Sequence, residues 1–232
     1  MLNVYTGVVH DTQLQRIPKE DFMKYAYVYV LDTMADWELG WVTAQLNSGQ
    51  YFKIPGSRLP VRTVGASKRS ITTMGGMTVL PDLTVDEITH DTSAILLLPG
   101  ANTWTNPEHL PMIEKTKELL EQGGRVAAIC GATAALADSG LLDHRPHTSN
   151  GLEYLNLFCP SYRGSAHYRD EKVVSDGNLI TTGATGGLLL AREVIAMLDL
   201  FTEETLEAWY NYFNTGEERH FYALMETMQA RT

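Results

Sequence analysis

A chain of 232 residues with 44% hydrophobic and 20% charged residues has the composition of a globular protein with a sizeable core. Its formal net charge of −10 argues against a nucleic-acid partner, which calls for clustered Lys and Arg, and no apolar run approaches the about 18 residues of a membrane helix. Two cysteines cannot build a disulfide framework and the N-terminus shows no secretory signal, so a reducing cytoplasm is the expected compartment.

Residues 1–23 carry no sustained period and are expected to form an N-terminal extension. Tyr25-Ala26-Tyr27-Val28-Tyr29-Val30-Leu31 is an aromatic and β-branched run suited to a buried strand. A turn over residues 32–36 should follow, then a helix over residues 37–46 ending near Asn47-Ser48-Gly49. Residues 61–64 give another strand. Ile71-Thr72-Thr73 and Met77-Thr78-Val79 read as a hairpin about Gly75-Gly76.

Ala94-Ile95-Leu96-Leu97-Leu98 is a continuous apolar strand stopped by Pro99-Gly100. Residues 111–122 form an amphipathic helix with Pro at its start and Gly123-Gly124 at its end. Val126-Ala127-Ala128-Ile129 is a strand that runs directly into Cys130-Gly131-Ala132-Thr133 and a helix to about Asp138. A strand over residues 178–182 leads through Gly183-Ala184-Thr185-Gly186-Gly187 into a helix over residues 188–198. Residues 203–229 read as helical with a break at Gly216. The alternation implies an α/β domain over residues 24–200 with a mostly parallel sheet covered on both faces, and residues 201–232 as a C-terminal helical appendage.

Sites in such sheets form at the carboxyl ends of strands. Three turns there carry suggestive residues: Cys130, Gly100-Ala101, and Asp36 with Glu38. A thiol between a strand and a helix projects above the sheet, and the helix N-terminus lowers its pKa. A lone Cys is equally at home as a small buried hydrophobe, and the residues alone leave both readings open.

Leu97-Leu98-Pro99-Gly100, the run from Val126 to Thr133, and Asp36-Trp37-Glu38 together resemble the ThiJ/PfpI family of the class I glutamine amidotransferase-like superfamily. The resemblance implies a flavodoxin-like three-layer sandwich, a homodimer, and a small-molecule substrate. It implies that Cys130 is the nucleophilic or redox-sensing cysteine, and that Glu38 is a protonated carboxyl donating to it. The backbone N–H groups of Gly100 and Gly131 would form an oxyanion hole. A carboxyl that is desolvated beside a thiolate has a raised pKa, so the pairing is physically coherent. Asp36 is expected to be a helix cap.

The chain also departs from that pattern. One branch of the family has a His directly after the Cys, where this chain has Gly131. The other has a His at the position where this chain places Asn150, within His147-Thr148-Ser149-Asn150. His147 and His167 are the remaining candidates for a base. Without a base beside the thiol, peptidase chemistry is disfavoured. His, Cys and carboxylates show no metal-ligand spacing, no cofactor is expected, and Cys159 has no partner. Residues 183–187 lack the Lys and spacing of a phosphate loop and are read as a loop closing near Cys130. The reading is a cysteine-dependent hydrolase or lyase of small carbonyl or amide compounds. The alternative is a non-enzymatic redox-sensing protein working through oxidation of Cys130. A glutamine amidotransferase-like domain comes third, because the late His-x-Glu dyad is missing.

Overall fold

The computed structural model describes residues 23–229, so the expected N-terminal extension lies, but for Met23, outside the described residues. Nine strands and seven α-helices follow in chain order. They are β1 Tyr25–Tyr29, α1 Gly40–Ser48, β2 Val61–Gly65, β3 Ile71–Thr72, β4 Thr78–Val79, β5 Leu83–Thr84, β6 Ser93–Leu98, α2 Leu110–Glu121 and β7 Val126–Ile129. Then come α3 Gly131–Asp138, α4 Leu152–Phe158, β8 Val173–Asp176, β9 Leu179–Thr182, α5 Gly187–Met197, α6 Glu203–Thr215 and α7 Glu218–Gln229.

Seven strands form one sheet in the order β5-β2-β1-β6-β7-β9-β8, parallel except for β8, which runs antiparallel to β9. Every residue of β6 and of β7 is buried, which is why these strands read as unbroken apolar runs: helices cover both faces. α1 packs on α5, α6 packs on α5 and α7, and α2 and α3 each pack against β7. This is the expected flavodoxin-like α/β fold with C-terminal helices. Those helices share the core, because Trp209 of α6 is fully buried with its ring edge-on to Phe201 and Phe213. Gly216 caps α6 in the left-handed region (φ 73°), at the expected break.

β1 pairs with β2 on one side and with β6 on the other. The chain therefore reverses direction across the sheet between β1 and β6, and a crevice opens beyond their carboxyl ends. The segments after β1, β6 and β7 all run into that crevice.

α1 begins at Gly40 and not at residue 37, with Leu39 as its N-cap. The reason is Glu38, whose side chain turns inward and is wholly buried, holding Asp36-Trp37-Glu38 in a turn. Asp36 caps no helix. It accepts the Gly75 N–H at 2.6 Å and ties down the β3–β4 hairpin, and a hydrogen bond from Thr73 helps hold its carboxyl below the usual range.

Candidate active site

Cys130 stands alone between β7 and α3 with φ 57° and ψ −121°, backbone angles that cost a non-glycine residue about 1–3 kcal/mol. Both flanks hold it there. Its N–H donates to Thr182 O (2.9 Å), completing the β7–β9 ladder, while its carbonyl accepts from the Thr133 N–H (3.0 Å) and hydroxyl (2.6 Å). The next residue has to be small: a Cβ on Gly131 would lie 2.8 Å from Ala101 O. The sharp turn lifts the thiol above the sheet edge, as the spacing Ile129-Cys130-Gly131 implied.

Glu38 reaches the same point from the turn after β1. Its Oε2 accepts the Gly100 N–H at 2.6 Å, and its Oε1 is buried without a hydrogen-bond partner. Burial raises the carboxyl above its ordinary value, against the smaller lowering effects of Gly100 and of Cys130. The Cys130 thiol is raised as well, first by burial; the Asn150 amide and the Gly131 N–H oppose this, and the Glu38 charge adds to it. Burial thus disfavours the charged form of both groups, while the Cys130 contact lowers Glu38 and the Glu38 charge raises Cys130.

The Gly100 N–H is thus engaged by Glu38 and is not free for an oxyanion, which corrects the expectation for that residue. The Gly131 N–H favours the thiolate form of Cys130, the smallest of the effects on that thiol.

Neither candidate histidine is brought to the thiol by any contact among the described residues. His147 is fully buried, with Nδ1 2.8 Å from Arg145 O and Nε2 2.7 Å from the Tyr162 hydroxyl. A carbonyl only accepts, so Nδ1 carries the proton and Nε2 accepts from Tyr162. Burial lowers the His147 pKa and pushes the Tyr162 hydroxyl up to about 12, so the pair stays neutral and occupied. His167 ends a 3-10 turn, Ser165–His167, where its carbonyl accepts the His147 N–H and its ring meets His144 edge-on. Both histidines hold the loop before β8. The sequence placed them near the site because it shows order along the chain and not which way a ring points.

Asn150 is brought to the thiol. Its Nδ2 donates to Cys130 Sγ at 3.4 Å and its Oδ1 accepts the Ala184 N–H at 2.8 Å. The Gly-rich loop before α5 does close on the site, as expected, through Ala184.

Beside the elbow lies a cavity of about 520 Å³ whose wall includes Ala101, Trp104, Ile113, Gly131, Tyr154 and Phe158. Cys159 also lines it, but its thiol donates to Ala134 O and burial pushes it up to about 11, leaving it inert beside Cys130. Tyr154 and Phe158 belong to α4, an element not anticipated from the sequence. Five of its seven residues are apolar or aromatic, but only Leu155 is buried while Leu157 and Phe158 are exposed, so no buried stripe marks it. Among the described residues no group of three His, Cys, Asp or Glu is placed to hold a metal ion, and no helix is long and apolar enough to cross a membrane.

The family model described as the DJ-1/PfpI family matches residues 24–197. A Bacillus subtilis (strain 168) protein named uncharacterized protease YoaZ is 45% identical over 202 residues, spanning 87% of this chain and 96% of its own. The deglycase PfpI of Pyrococcus furiosus is 32% identical over 136 residues, 56% of this chain and 78% of its own. The crystal structure of a thiJ/pfpI family protein from Bacillus anthracis superposes with a TM-score of 0.85 at 46% identity, covering 88% of this chain and 96% of that one.

Proposed function

The chain belongs to the DJ-1/PfpI family, and we propose that it is a cysteine-dependent hydrolase or lyase acting on a small carbonyl or amide compound. Cys130 is the nucleophile and Glu38 the acid/base. The observation that carries this reading is the convergence at Gly100, where a Cβ would lie 2.7 Å from the Cys130 Cβ and 2.8 Å from each Glu38 oxygen. Nothing separates the thiol from the carboxyl.

The step follows from that geometry. With the pair's one proton already on Glu38, the Cys130 thiolate attacks the carbonyl carbon, and the C–S bond forms as the C=O π bond breaks. The oxygen then takes the proton from Glu38, giving a neutral hemithioacetal and a carboxylate ready to accept the next proton. For an amide, the same carboxyl protonates the leaving nitrogen, and water then cleaves the thioester. The cavity beside Gly131 supports a substrate of small-molecule size. The archaeal relative named a deglycase supports a hydrolytic reading. The protease name of the Bacillus subtilis relative does not carry over, since among the described residues both ring nitrogens of His147 are engaged away from the thiol. The exposed apolar side chains Leu110, Leu157 and Phe158 beside the cavity support a homodimer.

The test is steady-state turnover of methylglyoxal, simple amides and isonitriles by the wild type and by Cys130→Ser. Turnover by the wild type with loss in the variant supports the assignment. Equal rates would end it.

A second reading rests on the same donors. Asn150 Nδ2 and the Gly131 N–H both act on the sulfur and would hold the oxygens of a sulfinate formed from the thiolate by two equivalents of peroxide, with two waters released. Intact mass after mild peroxide, with a gain of two oxygens at Cys130, is the outcome this reading requires.

A further inference from the structure

Asn150 bridges two groups that do not otherwise meet. Its Oδ1 accepts the Ala184 N–H at 2.8 Å, which fixes which end of the side-chain amide faces which way. A backbone N–H must meet an acceptor, so the nitrogen is left facing Cys130 Sγ, at 3.4 Å. The loop that supplies Ala184 is shaped to the contact, since a Cβ on Gly183 would lie 2.9 Å from Ser149 O and 3.2 Å from Asn150 Oδ1.

We propose that Asn150 is a thiolate-binding residue, clamped by Ala184 to donate a hydrogen bond to Cys130, so that this position holds the sulfur anion and carries no proton for the reaction. This deepens the function proposed above and rests on Cys130 being the reacting group. An amide neither takes nor gives a proton at working pH. It stabilises the sulfur anion in both the free enzyme and the departing state, but it cannot protonate a leaving group.

The groups acting on the thiol bear this out. They are the Glu38 carboxyl from the turn after β1, the Asn150 amide, and the Gly131 N–H of α3. From α4, burial raises the Tyr154 hydroxyl, with the charges of Cys130, Cys159 and Glu38 adding to this and Asn150 opposing it.

The test uses Asn150→Asp, which keeps the oxygen that Ala184 holds and exchanges only the donor for an anionic acceptor. The readout is the pH profile of Cys130 alkylation by iodoacetamide, followed by intact mass, with the melting temperature confirming the fold. The expected result is alkylation at least about tenfold slower near neutral pH with the midpoint moved upward, one unit of thiol pKa being tenfold in thiolate. Asn150→Ala should move the midpoint in the same direction by less. A profile for Asn150→Asp that superimposes on the wild type, or a faster one, overturns the proposal. Alkylation needs no substrate, so a protein that turns over none of the carbonyl compounds yet shows the shift loses the proposed function and keeps the Asn150 assignment.

Discussion

Glu38 receives the Gly100 N–H at 2.6 Å, and the glycine leaves no gap between that carboxyl and the thiol. The missing side chain is the passage through which the two acids meet. Gly100→Ala places a methyl group 2.7 Å from the Cys130 Cβ, which is fixed to the backbone, and 2.8 Å from both oxygens of the buried Glu38 carboxyl. The variant is expected to lose about 1–3 kcal/mol of stability and nearly all turnover. Thermal melts and kinetics on one preparation check it; wild-type values for both would show that the contact is slack.

Glu38→Gln keeps the shape and the Gly100 contact but removes the proton. Turnover should fall by about 10²–10⁴, the usual worth of a general acid/base. The variant should also change stability against pH in a defined direction. Burial raises the folded-state pKa of Glu38 above its ordinary 4.5, so the folded protein binds the proton more tightly than the unfolded chain. That contribution is complete below 4.5 and is lost as pH rises through the raised value. Wild-type stability measured relative to Glu38→Gln should therefore decline with rising pH across that window. A flat difference would mean that Glu38 titrates like an exposed carboxyl.

The Tyr162–His147 pair separates structure from catalysis. Tyr162→Phe leaves the buried His147 Nε2 without its donor, at a cost of about 1–3 kcal/mol. Per folded molecule, alkylation of Cys130 and turnover should match the wild type. A loss of turnover without a loss of stability would return His147 to the reaction.

Trp209 decides whether the C-terminal helices are an accessory. It is fully buried against Phe201 and Phe213, so Trp209→Ala should cost about 3–5 kcal/mol in chemical denaturation. A change below about 1 kcal/mol, within reach of a surface substitution, would mark α6 as loosely attached.

The sheet was legible because its central strands are buried on both faces and bounded by glycine and proline, as Ala94-Ile95-Leu96-Leu97-Leu98-Pro99-Gly100 shows. β5 escaped notice at two residues, too short for any period, and β8 is an edge strand whose burial alternates only weakly. Within the site, Cys130 and Glu38 could be found from the turns that carry them. The role of Asn150 could not be, because it depends on an N–H thirty-four residues away in the chain. The histidines misled for the same reason: the occupants of both His147 nitrogens come from tertiary packing and leave no mark on the local sequence.

The central claim is that a neutral Glu38 carboxyl stands against the Cys130 sulfur, and difference infrared spectroscopy of wild type against Glu38→Gln near neutral pH tests it most directly. The wild type should show a protonated-carboxyl C=O stretch that is absent from the variant and shifts when Cys130 is alkylated. A difference spectrum containing only ionised carboxylate bands, unmoved by alkylation, would contradict it.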